Sequence, residues 1–139
     1  MRMAHTPKTV LIVEDEPDAA ELFAVMMRVN GYNVIKMFCS TPAMKMIAQV
    51  KPNIVIMDIM MPDISGLDVM RFMRRDEELK KIPVVVVSAK SGAEDIQAGM
   101  EAGASIYLTK PVAYLDLIHA VESLIGGATG PLPPVKSET

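Results

Sequence analysis

The sequence predicts an α/β fold in which five parallel strands form a doubly wound sheet with five helices on its two faces. Five short apolar segments alternate with five segments of helical periodicity, and strands that alternate with helices in this way pair in parallel. The apolar segments are rich in valine and lack polar alternation, which indicates that both faces of each strand are buried. A chain of 139 residues that is 50% hydrophobic is long enough for one such domain.

The predicted strands are short apolar runs bounded by polar or turn residues. They are TVLIVE from Thr9, NVIKM from Asn33, NIVIMD from Asn53, IPVVVVSA from Ile82 and SIYLTK from Ser105. The third run ends on a charged residue, Asp58. Because an unpaired buried carboxylate is costly, Asp58 must lie at a cleft, pair with a cation or be neutral.

Three of the predicted helices have clear boundaries or a clear apolar face. The first begins near Pro17, which suits a first helical turn, and ends before Gly31. The second is expected to be capped by Ser40 or Thr41. The predicted inner faces are Leu22, Phe23, Met26 and Val29 in the first helix, Met46, Ile47 and Val50 in the second, and Leu67, Met70, Phe72 and Met73 in the third.

The last two predicted helices differ in the strength of their signal. The fifth has an apolar repeat at Leu115, Ile118, Val121 and Leu124. The fourth, from about Glu94 to Ala102, is the weakest, because Gly99 inside it costs about 1 kcal/mol relative to alanine. We therefore expect the fourth helix to be the most mobile of the five.

Composition excludes several classes of function. A net charge of -3 and a pI near 5.4 give no general affinity for nucleic acid. Apolar runs of strand length, a start without a signal-peptide pattern and a single cysteine, Cys39, indicate a cytoplasmic protein that does not enter a membrane. We expect one domain over residues 8–126, followed by a proline- and glycine-rich linker or disordered tail over residues 127–139.

Polar side chains follow the ends of several predicted strands. They are Glu14, Asp15 and Glu16 after the first, Asp58 after the third, Ser88 after the fourth, and Thr109 and Lys110 after the fifth. In sheets of this kind, ligands bind outside the carboxyl ends of the strands. Acids that converge there must raise a pKa or share a cation, and oxygen ligands without cysteine or histidine suit Mg²⁺. Ser88 could either cap the following helix or donate a hydrogen bond to a bound oxyanion.

Four segments together resemble the receiver domain of response regulators in two-component signalling. They are LIVEDEP from Leu11, DIMMPDISG from Asp58, VVVVSAK from Val84 and GASIYLTKP from Gly103. The resemblance extends from about Lys8 to Gly126 and implies the flavodoxin-like strand order 2-1-3-4-5. It also implies a phosphoacceptor that catalyses only its own phosphorylation and slow autodephosphorylation, rather than an enzyme with a separate substrate.

The resemblance assigns a role to each candidate site residue. Asp58 would accept a phosphoryl group from a sensor histidine kinase or phosphotransfer protein. Asp15, Asp58 and the backbone carbonyl of Met60 would bind Mg²⁺ directly, with Glu14 acting through water. Lys110 and Ser88 would bind phosphoryl oxygens, and Ser88 with Tyr107 would form the switch. The fourth helix, fifth strand and fifth helix would then signal to a partner, and few charges near Tyr114 permit a homodimer there.

Three other functions are compatible with part of the sequence. An aspartyl-phosphate hydrolase of the haloacid dehalogenase type would want an acid two residues after Asp58, where Met60 stands. A flavodoxin-like binder of a phosphorylated cofactor would want backbone donors after the first strand, where EDEPD offers acids. A receiver-like module that interacts with partners without phosphate remains open.

Overall fold

The computed structural model describes residues 6–126, so the predicted tail over residues 127–139 lies outside the described residues. Strands and helices alternate along the chain. The strands are β1 (Thr9–Val13), β2 (Asn33–Met37), β3 (Ile54–Met57), β4 (Val84–Ser88) and β5 (Ile106–Thr109). The helices are α1 (Pro17–Val29), α2 (Ser40–Val50), α3 (Gly66–Arg75), α4 (Ala93–Ala102) and α5 (Tyr114–Ile125).

The five strands form one parallel sheet in the order β2-β1-β3-β4-β5, as the sequence and its resemblance predicted. Val13 at the end of β1 is in register with Met57 at the end of β3. On the other side of the sheet, Ser88 at the end of β4 is in register with Thr109 at the end of β5. The polar residues that follow these strands therefore come out at the same edge of the sheet.

Apolar residues are buried on both faces of the sheet. One core cluster contains Val10 and Ile12 of β1 together with residues of α1 and α5. The other contains Leu11 and Val13 of β1 with residues of α2 and α3 and the end of α4. Alternate residues of the same strand belong to opposite clusters, so a strand of this sheet is apolar at successive positions. The unbroken apolar runs in the sequence had predicted this burial of both faces.

The predicted inner faces of three helices were partly wrong. Leu22 and Val29 of α1 are 54% and 72% exposed, whereas that helix buries Ala20, Phe23, Ala24 and Met27. The exposed and the buried sets both have helical spacing, so periodicity could not choose between them. The buried set contains two alanines, whose small side chains let a helix lie close to a sheet. Val50 of α2 and Leu115 of α5 are exposed as well.

The start of α2 also differs from the prediction. Neither Ser40 nor Thr41 is its cap: the N-cap residue is Cys39, and its side chain forms no capping hydrogen bond. The first-turn amides are bound instead by a carboxylate from a later loop, described below. In the part of the chain from residue 6 to residue 126, no helix combines the length and apolar character needed to cross a bilayer.

Candidate functional site

Three carboxylates converge at the edge of the sheet where β1 and β3 end. Glu14 and Asp15 directly follow β1, Asp58 directly follows β3, and one oxygen of each lies within 4.8 Å of the others. Glu14 is 1% exposed and Asp58 is 7% exposed, while Asp15 lies nearer the solvent. The structure thus brings together the acids that the strand-end argument had selected.

Lys110 joins two of these acids from the end of β5. Its Nζ donates hydrogen bonds of 2.9 Å to Glu14 Oε1 and of 2.9 Å to Asp58 Oδ2. Burial on its own would lower the pKa of Lys110, but the two hydrogen bonds and the two negative charges outweigh burial and raise it. Of the three alternatives open for Asp58, pairing with a cation is observed here.

Burial dominates the ionisation of Glu14. It raises the pKa of this carboxyl group above its ordinary value, and the charge of Asp58 adds to the effect. Hydrogen bonds from Lys110 and from the Glu16 amide act in the opposite direction without cancelling it. A bound cation would favour the ionised form of Glu14, so proton release and cation binding are coupled at this position.

The loop after Asp58 folds back on the phosphoacceptor candidate. The Met60 amide donates a 3.0 Å hydrogen bond to Asp58 Oδ1, and the Gly66 amide donates one of 3.0 Å to the Ile59 carbonyl. A Cβ at Gly66 would lie 2.8 Å from the Asp58 carbonyl oxygen and 2.9 Å from Ile59 Cα. This close backbone approach requires glycine at position 66.

Ser88 and Tyr107 are connected through the backbone of Lys90. Ser88 is fully buried, and its Oγ accepts a 3.1 Å hydrogen bond from the Lys90 amide. The Tyr107 hydroxyl donates a 2.7 Å hydrogen bond to the Lys90 carbonyl oxygen, and burial raises the pKa of this phenol. The two predicted switch residues therefore both bind the backbone of Lys90.

Two cavities open beside Asp58. A cavity of about 270 Å³ is lined by Asp15, Glu16, Asp58, Met60, Ala89 and Lys110. A second cavity of about 460 Å³ is lined by Asp15, Ile59, Met60, Met61, Pro62, Ser65 and Lys90. Ser88 lines neither of them. The lining of the first cavity includes three acids and the ammonium of Lys110, and carboxylate oxygens without histidine or cysteine fit Mg²⁺.

Sequence reasoning missed two side chains that hold the surroundings of the site. Asp63 binds the start of α2, and Arg74 donates hydrogen bonds of 3.1 and 2.8 Å to the Gly103 carbonyl oxygen beyond the end of α4. Both contacts join residues more than 20 positions apart, so no local spacing could have indicated them. An acid in a loop and an arginine late in a helix ordinarily face solvent.

The sequence family that matches the chain agrees with this geometry. The family model described as response regulator receiver domain matches residues 10–122, which include all the strand ends at the site. The chain is a response regulator receiver domain. Its five-stranded fold and its acidic edge are those that the resemblance in the sequence had implied, and it belongs to two-component signalling.

Relatives of this receiver domain include proteins of two different lengths. It is 35% identical over 119 residues to the probable transcriptional regulatory protein TcrX of Mycobacterium tuberculosis, covering 86% of this chain and 50% of TcrX. It is 32% identical over 122 residues to the polar-differentiation response regulator DivK of Brucella anthropi, covering 88% of this chain and 99% of DivK. The receiver domain thus corresponds to half of one relative and to nearly the whole of the other.

Solved structures share the fold. The Francisella response regulator 1452 receiver domain superposes with a TM-score of 0.80 at 26% identity, covering 86% of this chain and 97% of that one. The receiver domain of the sensor histidine kinase PA1611 from Pseudomonas aeruginosa superposes with a TM-score of 0.81 at 24% identity, covering 88% and 100%. That structure has a magnesium ion coordinated in its active site cleft.

Proposed function

We propose that Asp58 is the phosphoacceptor of this receiver domain and takes a phosphoryl group from a sensor histidine kinase or a phosphotransfer protein. The observation that supports this most is the placement of the Asp58 carboxylate, which follows a buried strand, opens on a cavity and contacts Lys110. A carboxylate is ionised at neutral pH, so it needs no general base. What it needs is positive charge beside it, which Lys110 provides.

The transfer itself requires few groups. A carboxylate oxygen of Asp58 forms a bond to phosphorus while the phosphorus–nitrogen bond of the phosphohistidine breaks, and the imidazole nitrogen keeps the electron pair. Lys110 now binds Asp58 Oδ2, and it can move its hydrogen bond to a phosphoryl oxygen as the negative charge passes there. Positioning and charge stabilisation then account for the reaction, as in other phosphoryl transfers.

We assign Mg²⁺ to the same cavity. As the family resemblance implies, Asp15, Asp58 and the backbone carbonyl of Met60 would hold it directly, and Glu14 would act through water. When bound, Mg²⁺ would offset the repulsion between the Asp58 carboxylate and an incoming phosphoryl group.

The structural change that follows phosphorylation of Asp58 would pass through Ser88, Lys90 and Tyr107. Because Ser88 is fully buried and lines neither cavity, its hydroxyl can contact a phosphoryl group only if Ser88 and the Lys90 amide bound to its Oγ move toward Asp58. The same movement shifts the Lys90 carbonyl that holds Tyr107. The surface of α4, β5 and α5 would then differ between the two states and select a partner or a second copy of the chain in the cytoplasm.

Phosphorylation is tested directly by intact mass after incubation with phosphoramidate or acetyl phosphate and Mg²⁺. One added phosphoryl group on the wild type, absent with EDTA and absent in Asp58→Asn, is the expected result. Size-exclusion chromatography with light scattering, with and without beryllofluoride, then tests the homodimer through α4, β5 and α5.

A second function, a module that binds partners without phosphate, is favoured by one observation: Ser88 lines neither cavity beside Asp58. A module of this kind would not need the Ser88 hydroxyl to reach the site. No mass increase in the wild type, with an amide spectrum unchanged by beryllofluoride, would contradict the phosphoacceptor proposal and leave this one.

A further inference from the structure

A carboxylate in the loop between β3 and α3 caps a helix that lies 22 residues earlier in the sequence. Asp63 Oδ1 accepts a 3.0 Å hydrogen bond from the Ser40 amide, and Asp63 Oδ2 accepts one of 2.8 Å from the Thr41 amide. Ser40 is fully buried, and its Oγ donates a 2.6 Å hydrogen bond to the Ile64 carbonyl oxygen. Three hydrogen bonds therefore join this loop to the first turn of α2.

The first turn of α2 depends on Asp63 for its cap. Amides in the first turn of a helix have no partner within the helix, and Cys39 at the N-cap position forms no side-chain capping hydrogen bond. A negative charge is also favourable at this end of a helix. The amides of Thr41 and Ser40 hold the pKa of the Asp63 carboxyl well below its usual range, so the cap is ionised at neutral pH.

The same loop contains the backbone carbonyl that we assign to Mg²⁺. Its first part is tied by the Met60 amide to Asp58 Oδ1 and by the Met61 amide to the Ile59 carbonyl. The described hydrogen bonds that anchor residues 62–64 to the rest of the domain come from Ser40 and Thr41. Without them residues 62–64 would lose their hydrogen bonds to α2 and keep only packing contacts such as that of Ile64. The Met60 backbone, two residues earlier, would then be less firmly placed.

We propose that Asp63 is a positioning residue for the Mg²⁺ site, which it serves by fixing the β3–α3 loop on α2 and thereby placing the Met60 carbonyl. The inference rests on the proposed function, because it takes the Mg²⁺ ligands from there. Asp63 itself contacts neither the three acids nor Lys110 among the described hydrogen bonds. Met60 also lines both cavities beside Asp58, so a displaced loop would change the shape of each.

The experiment compares Mg²⁺ affinity in the wild type, Asp63→Ala, Asp63→Asn and Asp68→Ala, measured by titration of amide NMR signals without any phosphodonor. Asp68 is a matched control, because it is an exposed acid in the first turn of α3 that pairs with Arg71 on the same helix. We expect the dissociation constant to rise about tenfold in Asp63→Ala, as for other residues that orient metal ligands. Asp63→Asn keeps one oxygen acceptor and should show a smaller rise, and Asp68→Ala should show none.

Two further measurements separate positioning from simple loss of stability. In metal-free protein, the Met61 and Gly66 amides should exchange with solvent faster in Asp63→Ala, because the loop that holds them opens more often. With phosphoramidate, the Mg²⁺ concentration for half-maximal phosphorylation should rise while the rate at saturating Mg²⁺ stays within about twofold.

Equal Mg²⁺ affinity in Asp63→Ala and Asp68→Ala would overturn the inference, even if the first variant were less stable. If Asp63→Ala does not fold, Asp63→Asn decides: an affinity equal to the wild type overturns the inference as well. A wild type that binds Mg²⁺ but accepts no phosphoryl group would contradict the proposed function alone, since the affinity comparison would still report on Asp63. A wild type that binds no Mg²⁺ would overturn the role of Asp63.

Discussion

Tyr32 has the one buried side-chain oxygen or nitrogen within residues 6–126 that forms no hydrogen bond. The residue is 4% exposed, and it packs in the cluster between the sheet and helices α1 and α5. Burial raises the pKa of its phenol from the ordinary 10.0 to about 12, and the charge of Glu122 contributes to the shift. A hydroxyl without a hydrogen-bond partner in a core is destabilising, so Tyr32 stabilises the core through its ring and not through its hydroxyl.

Ionisation of Tyr32 should weaken the fold at high pH. The folded protein keeps the phenol protonated up to about pH 12, whereas the unfolded chain releases the proton near pH 10.0, so the contribution is complete below pH 10 and is lost between the two values. The full loss in the free energy of unfolding is about 3 kcal/mol, and about half of it is reached at pH 11. Urea unfolding at pH 8 and pH 11 measures that half, with Tyr32→Phe as the control.

The phenylalanine variant should be as stable as the wild type at pH 8, or up to about 1 kcal/mol more stable, because it removes an unpaired hydroxyl. It should also lose less stability than the wild type on going to pH 11. Parallel pH profiles for the two proteins would show that Tyr32 does not titrate as its burial requires.

The Tyr107 ring packs against helix α4 at Gly99, the residue that made this helix the weakest of the five in the sequence. A Cβ at Gly99 would lie 2.7 Å from Tyr107 Cδ2 and 2.8 Å from Cε2, closer than packed atoms approach. The glycine that lowers the intrinsic stability of the helix is therefore the residue that admits the Tyr107 ring against α4.

Gly99→Ala should destabilise the wild type although alanine favours helix. Displacing the Tyr107 ring costs about 1 to 3 kcal/mol, which exceeds the gain of about 1 kcal/mol in helix propensity. In a Tyr107→Ala background the ring is gone, and the same substitution should stabilise the protein by about 1 kcal/mol. Urea unfolding of the four proteins measures the cycle, and an effect of the same sign in both backgrounds would refute this account.

The sequence predicted the positions of the strands and helices better than it predicted which face of each helix is buried. β2 was placed without error at Asn33–Met37, shortly after the turn signal of Asn30 and Gly31, and α1 begins at the predicted Pro17. The inner face of α1 was wrong because Leu22 and Ala24 both fit a helical repeat, and only the sheet decides which one is buried. Hydrophobicity alone favours leucine for the buried face, whereas close packing of a helix on a sheet favours alanine there.

The site was predicted in part for a related reason. Glu14, Asp15, Asp58 and Lys110 are adjacent to strand ends, and the topology of a parallel sheet brings strand ends together whatever the loops do. The contact of Asp63 with α2 depends on the path of a loop, which follows from no periodicity. Strand-end positions can therefore be read from sequence, whereas contacts between loops cannot.

If Mg²⁺ binds as proposed, the three carboxylates at the carboxyl edge should make the stability of the whole domain depend on it. They repel one another in the metal-free state, and one ammonium offsets only part of that charge. A cation that binds the folded domain but not the unfolded chain stabilises it by mass action.

Mg²⁺ at ten times its dissociation constant should raise the free energy of unfolding by about 1.4 kcal/mol relative to EDTA. Asp15→Asn removes one proposed ligand without touching Lys110, and it should abolish most of the increase. Thermal unfolding at constant ionic strength measures both. The same increase in wild type and variant would mean that Mg²⁺ acts as a general salt and not at this site.

Lys8 donates a hydrogen bond through Nζ to the Ile125 carbonyl oxygen, so the strand that opens the described fold meets the helix that closes it. Domains whose first and last elements are adjacent tolerate circular permutation. A permuted chain with a short linker between residues 8 and 126 and new ends in the loop near Glu77 would keep every contact of the Asp58 site. The edge that holds Asp58 would then be carried by a chain of different order, so the architecture of the site does not depend on where the chain is opened.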